Sequence, residues 1–253
     1  DLHKEYRRQR QMCIRDRRYT VPRKVQDVIP VRRIWQDGIF STGNKFSKSY
    51  RFSDINYLVA SREDKESMFL IYSELLNSLD SGAVTKITIN NRRTNKANFE
   101  NSILMPMQED FRDEYRREYN QMLLNKATGA NGIIQEKYIT VSVCKKDIEE
   151  ARTYFARIGA DLIAHFTALG SKCTELDAAE KLRVLHDFYR QGEEAAFHFD
   201  PQDMMRKGHD FKDYICPDFM EKSSDCLKLG EKYCRVLFLK DYASYIKDNM
   251  VTE

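Results

Sequence analysis

The sequence predicts an α+β fold: antiparallel sheet with helices packed on one face, and a helix-rich second half. Three observations carry this. Turn signals at Asp37-Gly38 and Gly43-Asn44 separate short apolar runs, as in antiparallel hairpins. Ile139, Val141 and Val143 alternate with Tyr138, Thr140 and Ser142, the pattern of a half-buried strand. Other segments repeat their apolar residues at three and four, and these helices lack the regular spacing of a doubly wound parallel sheet.

Taken in order, Val31 to Phe52 reads as β. Gly38 suits the tight turn between Ile34-Trp35 and Ile39-Phe40, and Phe46, Lys48, Tyr50 and Phe52 share one face of the next strand. Ser61, with Asp64 three residues on, caps a helix whose expected face is Met68, Phe69, Tyr72, Leu75, Leu76 and Leu79. After Gly82, Val84–Asn90 returns as a strand. Glu109–Leu124 is expected as a helix with an exposed face, where Arg112–Arg117 and the interleaved acids pair at i,i+4. Lys137–Cys144 is the alternating strand. Helix Lys146–Leu169 is the clearest element, with Ile148, Ala151, Phe155, Ile158, Leu162, Phe166 and Leu169 on one stripe. Thr174-Glu-Leu-Asp177 reads as the cap of a helix running to about Gln191. An irregular, aromatic-rich stretch fills Phe197–Asp218, and Leu227–Leu229 with Cys234–Leu239 flank Gly230-Glu231 as a hairpin. Asp241–Glu253 starts a last amphipathic helix without a terminator, as a chain cut within an element would. The expected units are 18–170 and a helix-led 171–253.

The 253 residues are 42% hydrophobic and 32% charged with only 10 Gly and 5 Pro, which excludes disordered and collagen-like classes. No apolar run approaches the ~18 residues of a membrane span. The six cysteines (13, 144, 173, 216, 226 and 234) form no CxxC pair, so the expectation is reduced thiols in a soluble, intracellular protein.

The first seventeen residues stand apart. Arg7-Arg8-Gln9-Arg10-Gln11-Met12-Cys13-Ile14-Arg15-Asp16-Arg17 matches, codon by codon, the translation of a transposase-library sequencing adapter. Residues 1–17 are therefore expected to be adapter-derived and disordered. They hold six Lys and Arg against three Asp and Glu. Removing them takes the chain from 42 and 39 to 36 of each, and the apparent net charge of +3 disappears. No direct nucleic-acid binding is expected from the neutral remainder.

Catalytic signatures are sparse. The phosphate loop needs glycines for backbone approach and a Lys for the β/γ-phosphates; Gly129-Ala-Asn-Gly132 lacks the Lys, and Gly170-Ser-Lys172-Cys lacks the first Gly and the hydroxyl. His186, His198, His209 and Cys216 are the candidates for a metal cluster, although their spacings lack the short pairs of zinc sites. Met204–Pro217 is the most unusual stretch, with Arg206, Lys207, His209 and Lys212 beside Phe211 and Tyr214. It is the candidate docking loop, with charges for the rim and aromatics for an anchor. The competing reading is a connector in which Phe211 and Tyr214 seal a core.

Five phrases together carry a family resemblance: Lys24-Val-Gln-Asp-Val-Ile-Pro30, Ser61-Arg-Glu-Asp-Lys-Glu-Ser67, ELLNSLDSGAVTKITINN from Glu74, EEARTYFARIGADLIAHFTALGSKCTE from Glu149, and Met205-Arg-Lys-Gly-His-Asp-Phe-Lys-Asp-Tyr214. Over about residues 20–253 the chain resembles the N-terminal portion of the TraE-like conjugative transfer ATPases, the type IV secretion motors of Gram-positive mobile elements. The resemblance implies an α+β docking and assembly domain, truncated before a C-terminal RecA-like motor. It also implies ATP and Mg²⁺ for the full-length protein only, with no cofactor, metal or catalytic residue in this fragment. The implied partners are channel proteins, the protein's own motor domain and, when full length, further copies of itself. The implied place is cytoplasmic, peripheral at the inner face of the cell membrane. A stand-alone α+β protein-binding module and, less favoured, a small metal-binding enzyme are the alternatives.

Overall fold

The computed structural model describes residues 22–93, 104–129, 133–241 and 245. The adapter-like residues 1–17 and nearly all of the expected last helix lie outside them. The helices are α1 (Val25–Val28), α2 (Arg62–Asn77), α3 (Asp113–Gly129), α4 (Ile148–Ala168), α5 (Ala178–Tyr189) and α6 (Pro201–Lys207). The strands are β1 (Arg33–Ile34), β2 (Phe40–Thr42), β3 (Lys45–Phe52), β4 (Val84–Arg93), β5 (Ile133–Cys144), β6 (Cys173–Glu175), β7 (Met220–Lys222), β8 (Leu227–Leu229) and β9 (Lys232–Cys234). The fold is α+β, as its sequence predicts.

The larger sheet runs β1-β2-β3-β5-β4, antiparallel throughout, with β6 also alongside β3. Register puts Phe46 opposite Val143, Lys48 opposite Val141 and Tyr50 opposite Ile139. These side chains therefore share one face, and α4 lies on it through Ala151, Phe155, Ile158, Leu162 and Phe166. Complete burial of a side chain such as Leu162 stabilises by roughly 1.5–3 kcal/mol, so this stripe is the main source of stability. The helix contains Gly159 because a Cβ there would stand 2.7 Å from Glu175 Oε1 and 3.0 Å from the Tyr50 hydroxyl. Tyr50 is fully buried, donates to the Phe155 carbonyl at 3.3 Å, and is held protonated by that burial and by Glu175. Asp147 caps α4 by accepting from the Glu150 amide.

A smaller core forms where α5 meets β2. Leu182 packs with Phe40, Ile29, Phe211, Ile215 and Cys216. The boundary expected between residues 170 and 171 falls between α4 and β6, and β6 pairs with β3. A separate three-stranded sheet, β7-β8-β9, follows. Among the described residues no helix is long and apolar enough to cross a membrane.

Several local expectations are corrected. The inward stripe of α2 is Met68, Ile71 and Leu75, continued by Leu79 just past its end, while Phe69, Tyr72 and Leu76 point outward. The true stripe keeps strict 3-4-4 spacing, which the bulkier aromatics obscure in the sequence. Thr174 is not a cap; it lies in β6, and Asp177 accepts from the Glu180 amide in a complete capping box. α3 starts at Asp113 rather than Glu109, because Glu109 has φ of 59° and the Asp113 carboxylate gathers the amides of Gln108 and Glu109. Arg116 pairs with Asp110 and Asp113, ahead of it by six and three residues, in place of i,i+4 partners. The Phe197–Asp218 stretch contains α6, nucleated by Asp200 as cap and Pro201 at the first turn, then closed by Gly208 at φ 68°. Finally, the returning hairpin arm is Lys232–Cys234 instead of Cys234–Leu239.

Candidate functional site

The loop 204–214 divides into two sides. α6 carries Arg206 and Lys207 outward, where they pair with Asp203 at 3.0 and 2.7 Å. The Lys207 ammonium, then the Arg206 guanidinium, lowers the pKa of the Asp203 carboxyl. Past Gly208, His209 is exposed with Nδ1 3.7 Å from Asp213 Oδ2. A capped turn, Phe211–Tyr214, then brings the rest inward. Phe211 is buried in the smaller core. Lys212 Nζ donates to the carbonyls of Gln26 and Ile29, each at 3.0 Å, and so caps the end of α1. Tyr214 meets Phe199 edge-on with centroids 5.3 Å apart. Of the six candidates, Arg206, Lys207 and His209 remain outward, and Phe211, Lys212 and Tyr214 fasten the loop.

The His and Cys candidates do not converge. His186 is buried against Phe197 with ring centroids 5.0 Å apart. His198 is exposed, and Cys216 lies in the smaller core beneath the Arg190 guanidinium, which donates to the Cys216 carbonyl at 2.7 Å. Among the described residues no three His, Cys, Asp or Glu side chains are arranged to hold a metal ion. Burial raises the thiols of Cys173 and Cys216 to about 11 each, so both are protonated and poorly nucleophilic near neutral pH.

One site escaped the sequence. Lys181, on α5, is 9% exposed, and its Nζ donates to the Ser47 carbonyl at 2.9 Å, with Ser47 Oγ at 3.2 Å and the Gly38 carbonyl at 3.5 Å. The Phe40 ring covers it, 4.3 Å from the nitrogen to the centroid. Burial, and secondarily the nearby Lys48 charge, lowers its pKa to about 7. Lys48 is itself neutralised by Glu175. A partly uncharged amine is a nucleophile in an open site. Here the carbonyls and the ring enclose it, and it works as a staple between α5 and the β2–β3 hairpin. Gly38 completes the junction: at φ 75° it approaches so closely that a Cβ would stand 1.9 Å from the Leu176 carbonyl oxygen.

The outer surface is more informative. Phe111, just ahead of α3, is 82% exposed, and on α3 itself Tyr115 is 70% exposed with Tyr119 and Met122 on the same side. Beyond β9, Val236, Leu237, Phe238 and Leu239 are 83%, 86%, 82% and 68% exposed. Each such side chain forgoes roughly 1.5–3 kcal/mol of burial, and apolar surface grouped this way is of the kind found at contacts with proteins, membranes or ligands. No protein-family model matches the chain, and no curated protein matches it. The resemblance to conjugative ATPases rests on the sequence phrases alone.

Proposed function

We propose that this chain is the N-terminal docking and assembly portion of a TraE-like motor that energises conjugative DNA transfer through a type IV secretion channel. The observation that carries the reading is the run Val236–Leu239: four consecutive apolar side chains turned to solvent. Such a segment is suited to burial against a second body. The resemblance puts a RecA-like motor after this region, so the run lies where the two would meet. In this reading the portion itself hydrolyses no ATP; ATP and Mg²⁺ belong to the motor. Its contacts are the motor, channel proteins and neighbouring subunits, at the cytoplasmic face of the membrane. The outward Arg206, Lys207 and His209 supply a polar rim for a channel protein.

The test uses the full-length protein. Leu237→Asp with Phe238→Ser changes side chains that are exposed in this portion and should leave its own folding intact. DNA transfer in a mating assay should fall by orders of magnitude. Unchanged transfer at normal protein level would overturn the reading.

A further inference from the structure

The strand β4 closes one side of the larger sheet, and its outer edge pairs with no strand among the described residues. It has 10 residues, against a usual length of about 5–6. Long edges are normally blunted by proline, bulges or several charges, because their free amides and carbonyls recruit other strands. This one has neither proline nor bulge, and its charges are Lys86 near the start and Arg92 and Arg93 at the far end. Its pairing with β5 keeps one register from Val84–Ser142 to Arg93–Ile133, and Val84–Asn91 contains no proline and a single charged residue, Lys86. Ile87 and Ile89 are 47% and 56% exposed, although Ile87 shares its face with Ile139 beneath α4. The helices stop short of covering this strand.

We propose that the β4 edge is a homodimer interface in which a second copy adds its own β4 antiparallel, about a two-fold axis through Thr88. The occupant follows from the strand's match to itself. Opposed residues must lie on one face of the joined sheet, so the axis passes through a residue and not between two. An axis at Lys86 sets ammonium against ammonium. An axis at Ile87 pairs Ile87 with its own copy but sets each Ile89 against Thr85, giving one isoleucine pair in place of two. At Thr88, Ile87 meets Ile89 twice, Thr88 meets its own copy, Lys86 meets Asn90 and Thr85 meets Asn91. This pairs β-branched side chains with each other and keeps like charges apart, which are the terms that stabilise cross-strand neighbours. Main-chain hydrogen bonds along the edge then supply the affinity. The inference stands on this edge alone and does not depend on the proposed motor role.

Sedimentation velocity of the whole chain over a dilution series should show a monomer–dimer equilibrium. Ile87→Lys combined with Ile89→Lys places lysines opposite lysines and should abolish the dimer, with the circular dichroism spectrum unchanged. Ile87→Lys combined with Ile89→Glu places each lysine opposite the partner copy's glutamate, and the dimer should return. Should the double-lysine chain fold poorly, Thr88→Lys sets like charges at the axis on the opposite face and should dissociate the dimer equally. A wild-type chain that stays monomeric, a dimer indifferent to these changes, or a lysine–glutamate variant that remains monomeric would each overturn the proposal.

Discussion

Lys181 shows how a residue of ordinary appearance comes to tie two elements together. In the sequence it is one charge on an amphipathic helix, and such charges usually sit in solvent. No local pattern reveals that the β2–β3 hairpin will close over it. The unfolded chain keeps this proton up to about pH 10.5, and the folded chain only to about 7. Between those values the unfolded state binds more protons, so this residue makes stability rise with pH, on the order of 1 kcal/mol per unit. Below pH 7 its full cost remains. Lys181→Met should flatten that rise, as read from urea midpoints measured at successive pH values. A pH slope equal to wild type would show that the amine is charged in the folded state. At the same junction, Gly38→Ala meets both the Leu176 carbonyl and a positive φ, and should cost about 3 kcal/mol or more in a thermal melt. The loop residues offer a contrast. Arg206→Ala with Lys207→Ala should move the melting temperature by only a degree or two, because both pairs are exposed. Lys212→Ala should cost about 1–3 kcal/mol by leaving the Gln26 and Ile29 carbonyls without their donor. The stretch 204–214 stood out in the sequence, but which of its residues point outward was not legible, since α1 lies far away in sequence.

At the level of elements, periodicity was a good guide where the pattern was long. The stripe of α4 and the alternation in β5 meet as their spacings predict, and Phe155 is 1% exposed between them. Phe155→Ala should accordingly cost about 3–5 kcal/mol in denaturant titration. Short elements were the ones misjudged. The three residues of β6 have no readable period, and only their pairing with Tyr50–Phe52 makes them a strand. That pairing moves the helix start from Thr174 to Asp177. Asp177→Ala should therefore cost about 1 kcal/mol, and Thr174→Ala should stay within roughly half of that. Equal losses would restore Thr174 as part of the cap. Val236–Leu239 looked like a strand because its composition is that of one; strands also need a partner, and composition cannot supply it.

For the whole molecule, the α+β class followed from how turns, alternations and helical stripes succeed one another, all of them local features. The two cores and the place of β4 at the side of the sheet depend on contacts between distant segments, which one sequence does not disclose. Function at this scale is read from surfaces, because the chain carries no Gly-Lys-Ser/Thr loop to cradle phosphates. Calorimetric titration with Mg-ATP should give only heats of dilution, and saturable micromolar binding would count against a separate motor.

The placement of β6 beside β3 has a further consequence, for the order of events as the chain is made. Lys48 and Glu175 are 127 residues apart. While a ribosome is still synthesising the middle of the protein, β3 can pair with β2 and later β5, but the stretch at Tyr50–Phe52 has no neighbour on its other flank. Closing so large a loop comes late and slows folding, and the nascent sheet meanwhile presents an open strand to other chains. Nascent chains stopped before residue 173 should therefore hold chaperones longer than those that have passed Glu175, and rare codons ahead of that point should lower soluble yield.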